Sequence, residues 1–261
     1  MQRRSPQGRI DPCIRIASAS DRTLRRGFSL LELLTVISVT IVLTSLMVPA
    51  IGKLKENANR IVCSSNQRQM GIAFAEYGHA HKDRLPESRF GQDEQYEMMA
   101  SYRADGSRDS QWDGVGLLYA EGYCREPGCL YCPSHHGEHA YERYVDEYYR
   151  ASGHRLYTNY QYTGHLEWPA EGEEGPPRIK SMNDPKLILL TDGLRTRRDF
   201  NHISGMNVLR ADTSVFWWGD QYRELYNMLP LEVGEGSVPQ YIGDGFEDIW
   251  DLIKSRPGGS Q

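Results

Sequence analysis

The sequence predicts an α+β protein in which one long N-terminal helix leads into a globular head with a small antiparallel sheet. Three observations carry that reading. Residues 28–51 form an almost uninterrupted apolar run, and residues 52–82 continue it with helical, amphipathic spacing. Late in the chain, residues 186–191 (KLILLT), 206–211 (MNVLRA) and 213–218 (TSVFWW) are rich in β-branched, aliphatic and aromatic residues, as strands are.

The first run, FSLLELLTVISVTIVLTSLMVPAI, has 16 apolar residues among 24, and Glu32 is its only charge. At ~1.5 Å per residue it extends about 36 Å, enough to cross a hydrocarbon core of ~30 Å. Apolar groups on every face argue against a buried core helix. The length, and the lack of a small-x-small exit, argue against an ordinary secretory signal. The expected reading is a single-pass anchor. Residues 1–27 carry seven Arg against two Asp, a local +5 in a chain of net charge −5, so the other 234 residues carry −10. Positive charge before the anchor keeps the leader in the cytoplasm and sends the acidic body across the membrane.

Composition excludes other classes. A chain with 25% charged residues is not a polytopic membrane protein, and 39% hydrophobic residues with 16 Tyr and 5 Trp are not collagen-like or wholly disordered. Gly-x-Ser-x-Gly, P-loop and His-Glu-x-x-His motifs are missing, so no enzyme is expected. A body at −10 disfavours nucleic acid as a partner.

Along the amphipathic continuation, Cys63, Met70, Ala73 and Tyr77 are spaced by 7, 3 and 4, with Ile61, Val62 and Ile72 expected to widen the buried stripe. Residues 83–86 end the helix. The head is placed at 83–255 and a flexible tail at 256–261. Within the head, residues 87–112 read as polar loop, and helical turns are expected near 117–121, 221–228 and 246–255. A tight connection at Asp212-Thr213 joins the last two strands.

Arg25-Arg26, Gly27, Phe28, Glu32 and the apolar run together resemble the N-terminus of the type IV pilin and type II secretion pseudopilin superfamily. The resemblance covers about residues 25–51, although a leader of 27 residues exceeds the short leaders of many pilins. It implies cleavage by a prepilin peptidase between Gly27 and Phe28, N-methylation of Phe28, and assembly through pairing of Glu32 with the amine of a neighbouring subunit. Pro49 then falls where the family often places a helix-loosening proline. Glycine before the cut lets a protease approach the backbone closely. Two unit charges 4 Å apart interact by roughly 4 kcal/mol at an effective dielectric of 20. Desolvation offsets much of that, so the pairing fixes register more than stability. The plainer reading is a Glu32 that snorkels to the interface. The implied partners are the peptidase, other pilin or pseudopilin subunits, an inner-membrane assembly platform and the lipid bilayer. The resemblance implies a filament subunit with a periplasmic head, and a head this large for close repetition points to a minor or specialised one.

A weaker resemblance, to large-headed pilin-like proteins of planctomycete-type bacteria, lies in C-x-x-N-x-R-Q at 63–69 and in Asp192, His202 and Asp212. There a His and nine residues precede Asp-Gly, whereas Thr213 stands in the glycine position here. Asp192, His202 and Asp212 are therefore metal candidates, for zinc or calcium. The plainer reading is that the acids shape turns and the histidine bonds backbone.

With Cys13 in the leader, Cys63, Cys124, Cys129 and Cys132 remain. An even count in an exported chain favours two disulfides, expected as Cys63–Cys132 and Cys124–Cys129. The rival is zinc at Cys129-x-x-Cys132 with His135, His136 and His139. For the whole chain, the alternative to a filament subunit is a membrane-tethered module binding extracellular polymer or sugar. Its binding surface would use the seven tyrosines between 141 and 162 together with Trp217 and Trp218.

Overall fold

The structure is a computed structural model and describes residues 28–103, 112–150, 154–169, 175–202, 204–232, 241 and 246–256. The leader, with Gly27 and Cys13, and the tail from residue 257 lie outside the described residues. The chain divides into two compact units, residues 1–49 and 50–261.

The described part of the first unit is helical, the opening half of α1 (Leu30–Ala80). Ser29 starts it with a reciprocal cap: its Oγ accepts from Leu31 N–H at 3.2 Å, and Glu32 Oε2 accepts from Ser29 N–H at 2.9 Å. Every residue from 28 to 55 is exposed, large apolar side chains included. The hydroxyls of Thr35, Ser38, Thr40, Thr44 and Ser45 each bond a carbonyl of the preceding turn at 2.7–3.0 Å, so none needs an outside partner. The helix runs through Pro49, whose ring nitrogen has no proton to give Ser45 O.

The second unit begins with the rest of α1. Cys63, Gln67, Met70, Phe74 and Tyr77 recur at alternating intervals of four and three and form its buried stripe, with Gly71, Ala73 and Gly78 beside them. Ile61, Val62 and Ile72 do not widen that stripe; they point to solvent. Ile61 and Ile72 fall opposite Met70 and Phe74 at ~100° per residue, and Val62 lies on the flank, roughly a quarter turn from the stripe. The helix ends with Lys82 and Asp83 in the left-handed conformation, ahead of Pro86.

The head then builds β1 (Ala100–Tyr102), α2 (Val115–Ala120), α3 (Tyr141–Arg150), β2 (Leu156–Tyr157), β3 (Tyr160–Tyr162), β4 (Leu166–Glu167), β5 (Arg178–Ile179), β6 (Ile188–Asp192), β7 (Gly205–Arg210), β8 (Val215–Gly219), α4 (Glu224–Met228) and α5 (Phe246–Ser255). The main sheet is antiparallel in the order β3-β6-β7-β8, and β1-β2 and β4-β5 are small ribbons. The three expected strands are thus neighbours, joined by a fourth, β3, from the tyrosine-rich stretch. Thr213 supplies the positive φ (67°) that a glycine would have given the β7–β8 turn. Gly71 lets α1 lie against that turn: a Cβ there would stand 3.0 Å from Leu209 Cδ1 and 3.3 Å from Thr213 Cα.

One core cluster joins the α1 stripe to β3, β6 and α3, and a second gathers Trp218, Leu225, Ile249 and Trp250 under α5. Tyr144, Tyr148, Tyr160, Tyr162 and Trp218 are buried in these cores, and of the expected aromatic surface only Tyr149 is fully exposed. Their payload goes into packing.

Candidate metal centre

Helix α1 presents Glu56, Arg60, Cys63 and Gln67 to the head at intervals of four, three and four, one inward face. Three further segments converge on Cys63. A single-turn 3-10 helix at Pro127–Leu130 delivers Cys132, β6 ends on Asp192, and the β6–β7 connection carries His202. One ligand atom from each of Cys63, Cys132, Asp192 and His202 lies within 4.8 Å of all the others, and all four residues are buried. Cys63 Sγ is 3.3 Å from Asp192 Oδ1, Cys132 Sγ is 3.4 Å from His202 Nε2, and His202 Nε2 is 3.8 Å from Asp192 Oδ2.

Each donor is held from behind. Asn159 grips the Cys132 peptide on both sides, its Oδ1 accepting from Cys132 N–H at 2.5 Å and its Nδ2 donating to Cys132 O at 3.2 Å. Asp192 accepts from Asn201 Nδ2 at 3.3 Å and from Asn207 N–H at 3.1 Å. The Tyr160 hydroxyl donates to Cys63 Sγ at 3.5 Å. Nδ1 of His202 donates to Glu56 Oε1 at 2.5 Å, and Ser134 Oγ donates to the other Glu56 oxygen at 2.8 Å. A carboxylate only accepts, so the Nδ1 proton is fixed and Nε2 turns to the other three donors. Trp217 closes the outside, edge-on to His202 at 5.6 Å and covered by the Arg60 guanidinium at 3.4 Å.

The electrostatics are those of a cluster wanting positive charge. Burial pushes the Cys63 thiol well up, reinforced by Cys132 and Asp192. Burial also raises Asp192 against the pull of His202. For His202, burial works downward, but Asp192 and Cys132 outweigh it and lift the imidazole to about 9. Burial works upward on Cys132, yet hydrogen bonds with Cys63 and His202 bring that thiol below its ordinary value.

Searches against protein-family models, curated proteins and solved structures found no match to this chain. The expected sites are only partly assembled by the fold. Asp192 and His202 do come together, but Asp212 is exposed in the β7–β8 turn and accepts from Ser214 N–H at 2.9 Å. That hydrogen bond lowers its carboxyl pKa, the behaviour of a turn-shaping acid. Cys124 and Cys129 are disulfide-bonded as expected. Cys63 and Cys132 are brought together as expected too, but as free thiols. The Cys129-x-x-Cys132 zinc reading fails because its first cysteine is spent on Cys124.

Two of its histidines, His135 and His139, belong to a buried network that reaches the quartet through Asn201, which also donates to Asp192. His135 Nδ1 meets Asn201 Oδ1 at 2.7 Å, His139 Nδ1 meets the Tyr144 hydroxyl at 3.1 Å, and both Nε2 atoms lie near Asp199 Oδ1 at 3.9 and 4.0 Å. Burial holds His135 down at about 4 and His139 at about 3, and raises Asp199 to about 6. His136 is exposed. Glu56 escaped the sequence reading; its only signal is a place two helical turns before Cys63 on the same face.

Proposed function

We propose that the chain is a prepilin-like structural subunit, anchored by α1 in the inner membrane with its head on the periplasmic side. It would be cut between Gly27 and Phe28, methylated at Phe28, and assembled through an inner-membrane platform with other pilin or pseudopilin subunits into a pseudopilus or pilus-like filament. The observation that carries this is the exposed apolar face all around α1 from residue 30 to 51, its internal hydroxyls satisfied within the helix, with an acid one turn from its start.

A further feature supports a filament subunit over a simple tether. Leu54, Ile61 and Ile72 are exposed on the helix beyond the anchor, and at 100° per residue they fall within ~20° of one line. A seam of that kind suits packing against a neighbouring helix. The aromatic polymer-binding alternative has lost most of its surface to the core. N-terminal sequencing and mass spectrometry of the membrane-extracted chain test the proposal. A mature terminus at N-methylated Phe28 supports it, and an unprocessed Met1 terminus overturns it.

A further inference from the structure

We propose that Cys63, Cys132, Asp192 and His202 bind one Zn2+ in a closed, structural centre that fastens α1 to the β6–β7 end of the sheet. The inference is independent of the membrane proposal, because every residue it uses lies in the unit formed by residues 50–261.

Spacing comes first. Zinc holds thiolate sulfur at ~2.3 Å and imidazole nitrogen or carboxylate oxygen at ~2.0 Å, so tetrahedral ligands lie roughly 3.3–3.8 Å apart. Cys132 Sγ to His202 Nε2 at 3.4 Å falls in that range, the two Asp192 oxygens stand 3.3 Å from Cys63 Sγ and 3.8 Å from His202 Nε2, and one ligand atom from each residue lies within 4.8 Å of all the others. Donor chemistry comes next. Two sulfurs, one imidazole nitrogen and one carboxylate suit zinc, whereas calcium seeks six to eight oxygens and has no such shell here. The proton on His202 Nδ1 is held by Glu56, the carboxylate–histidine arrangement that orients an imidazole towards a metal.

Charge agrees. Two thiolates and a carboxylate against Zn2+ leave a net −1, and the Arg60 guanidinium interacts electrostatically with both Glu56 and Asp192. Loading displaces to solvent both thiol protons and the proton on His202 Nε2, while the Nδ1 proton stays on the imidazole, held by Glu56. Four protein donors leave no open position, and all four are buried, so the ion joins chain segments and activates no water. A Cys63–Cys132 disulfide would use the same two sulfurs, oxidising both thiols, and would leave Asp192 and His202 buried without the cation. The two fates exclude each other.

The test uses the full-length chain in detergent, purified without chelator. Elemental analysis is expected to give about one zinc per chain. Exchange for Co2+ is expected to give the thiolate-to-cobalt charge-transfer band and intense visible bands of a tetrahedral site. Cys63→Ser and His202→Ala are expected to lose both signals, while Asp212→Ala and the double variant Cys124→Ser/Cys129→Ser keep them. The wild-type cobalt spectrum decides the matter even where a ligand variant fails to fold. The proposal is overturned by a wild-type chain that takes up neither zinc nor cobalt after mild reduction. It is equally overturned by a Cys63–Cys132 disulfide in the non-reducing peptide map of the untreated protein.

Discussion

Glu56 and His202 are 146 positions apart in the chain, yet a carboxylate oxygen of the first stands 2.5 Å from Nδ1 of the second. Glu56 is partly exposed at the rim, and His202 is fully buried behind it. The acid is therefore removable without opening the core. Glu56→Ala should cost the metal-free chain about 1–3 kcal/mol, because His202 Nδ1–H and the Ser134 hydroxyl lose their acceptor. It should separately weaken zinc binding by about 10–100-fold, measured by competition with a chromogenic chelator. Unchanged affinity would show that Glu56 does not orient the imidazole.

Glu32 has a second occupation that its position in an apolar run conceals. Its carboxylate caps Ser29 N–H, and glutamine can do the same. Glu32→Gln thus keeps the helix start and removes the charge, whereas Glu32→Ala removes both. If a neighbour's amine is the partner, both variants should insert in the membrane yet incorporate poorly into filaments. Normal incorporation of Glu32→Gln would reduce the residue to a cap.

Gly116 sits in α2 where that helix meets β1. A Cβ at this position would stand 1.8 Å from Ser101 O, a backbone atom with no rotamer to escape into. Gly116→Ala should destabilise the head by about 3 kcal/mol or more, in spite of alanine's better helix propensity, as read by denaturant melting. A neutral result would mean that α2 can slide off β1.

His135 and His139 each contribute acid sensitivity to the head. Their folded pKa values, about 4 and about 3, lie below the ordinary 6.5, so the unfolded chain takes up their protons first and stability falls as pH drops below 6.5. Asp199, raised to about 6, works the other way: the folded chain gains its proton first. These three groups alone contribute a loss of about 1.4 kcal/mol per pH unit between roughly pH 6 and pH 4. The raised Asp113 and Asp192 work against that loss, and the lowered His165 adds to it. His139→Gln should flatten that limb by about one proton's worth, measured as melting temperature against pH. An unaltered limb would place the acid sensitivity elsewhere.

What was legible in the sequence was what repeats locally. The α1 stripe from Cys63 to Tyr77, the strands β6 to β8 and helix α5 are periodic or compositionally plain, and they are where they were expected. The Ser29-x-x-Glu32 cap has a plain sequence signature too, but an acid among leucines carries a charge signal that masks its local role. Strand β3 and helix α3 were hidden in a tyrosine-rich stretch whose rings are equally at home in either. The donor quartet was legible only as two unconnected pairs, Cys63 with Cys132 and Asp192 with His202, and nothing in the sequence joins one pair to the other. Its members lie at 63, 132, 192 and 202, and only folding gives them a common spacing. The one interval that looked informative, from His202 to Asp212, spans a β-strand and ends on an exposed turn acid.

The two-sided grip of Asn159 on the Cys132 peptide has a consequence for when an ion could enter. Both the amide hydrogen and the carbonyl flanking that sulfur are already tied, so the thiol's position is written into the main chain before any cation arrives. Zinc capture, as proposed, can then follow folding as a late event and need not serve as the nucleus around which the head collapses.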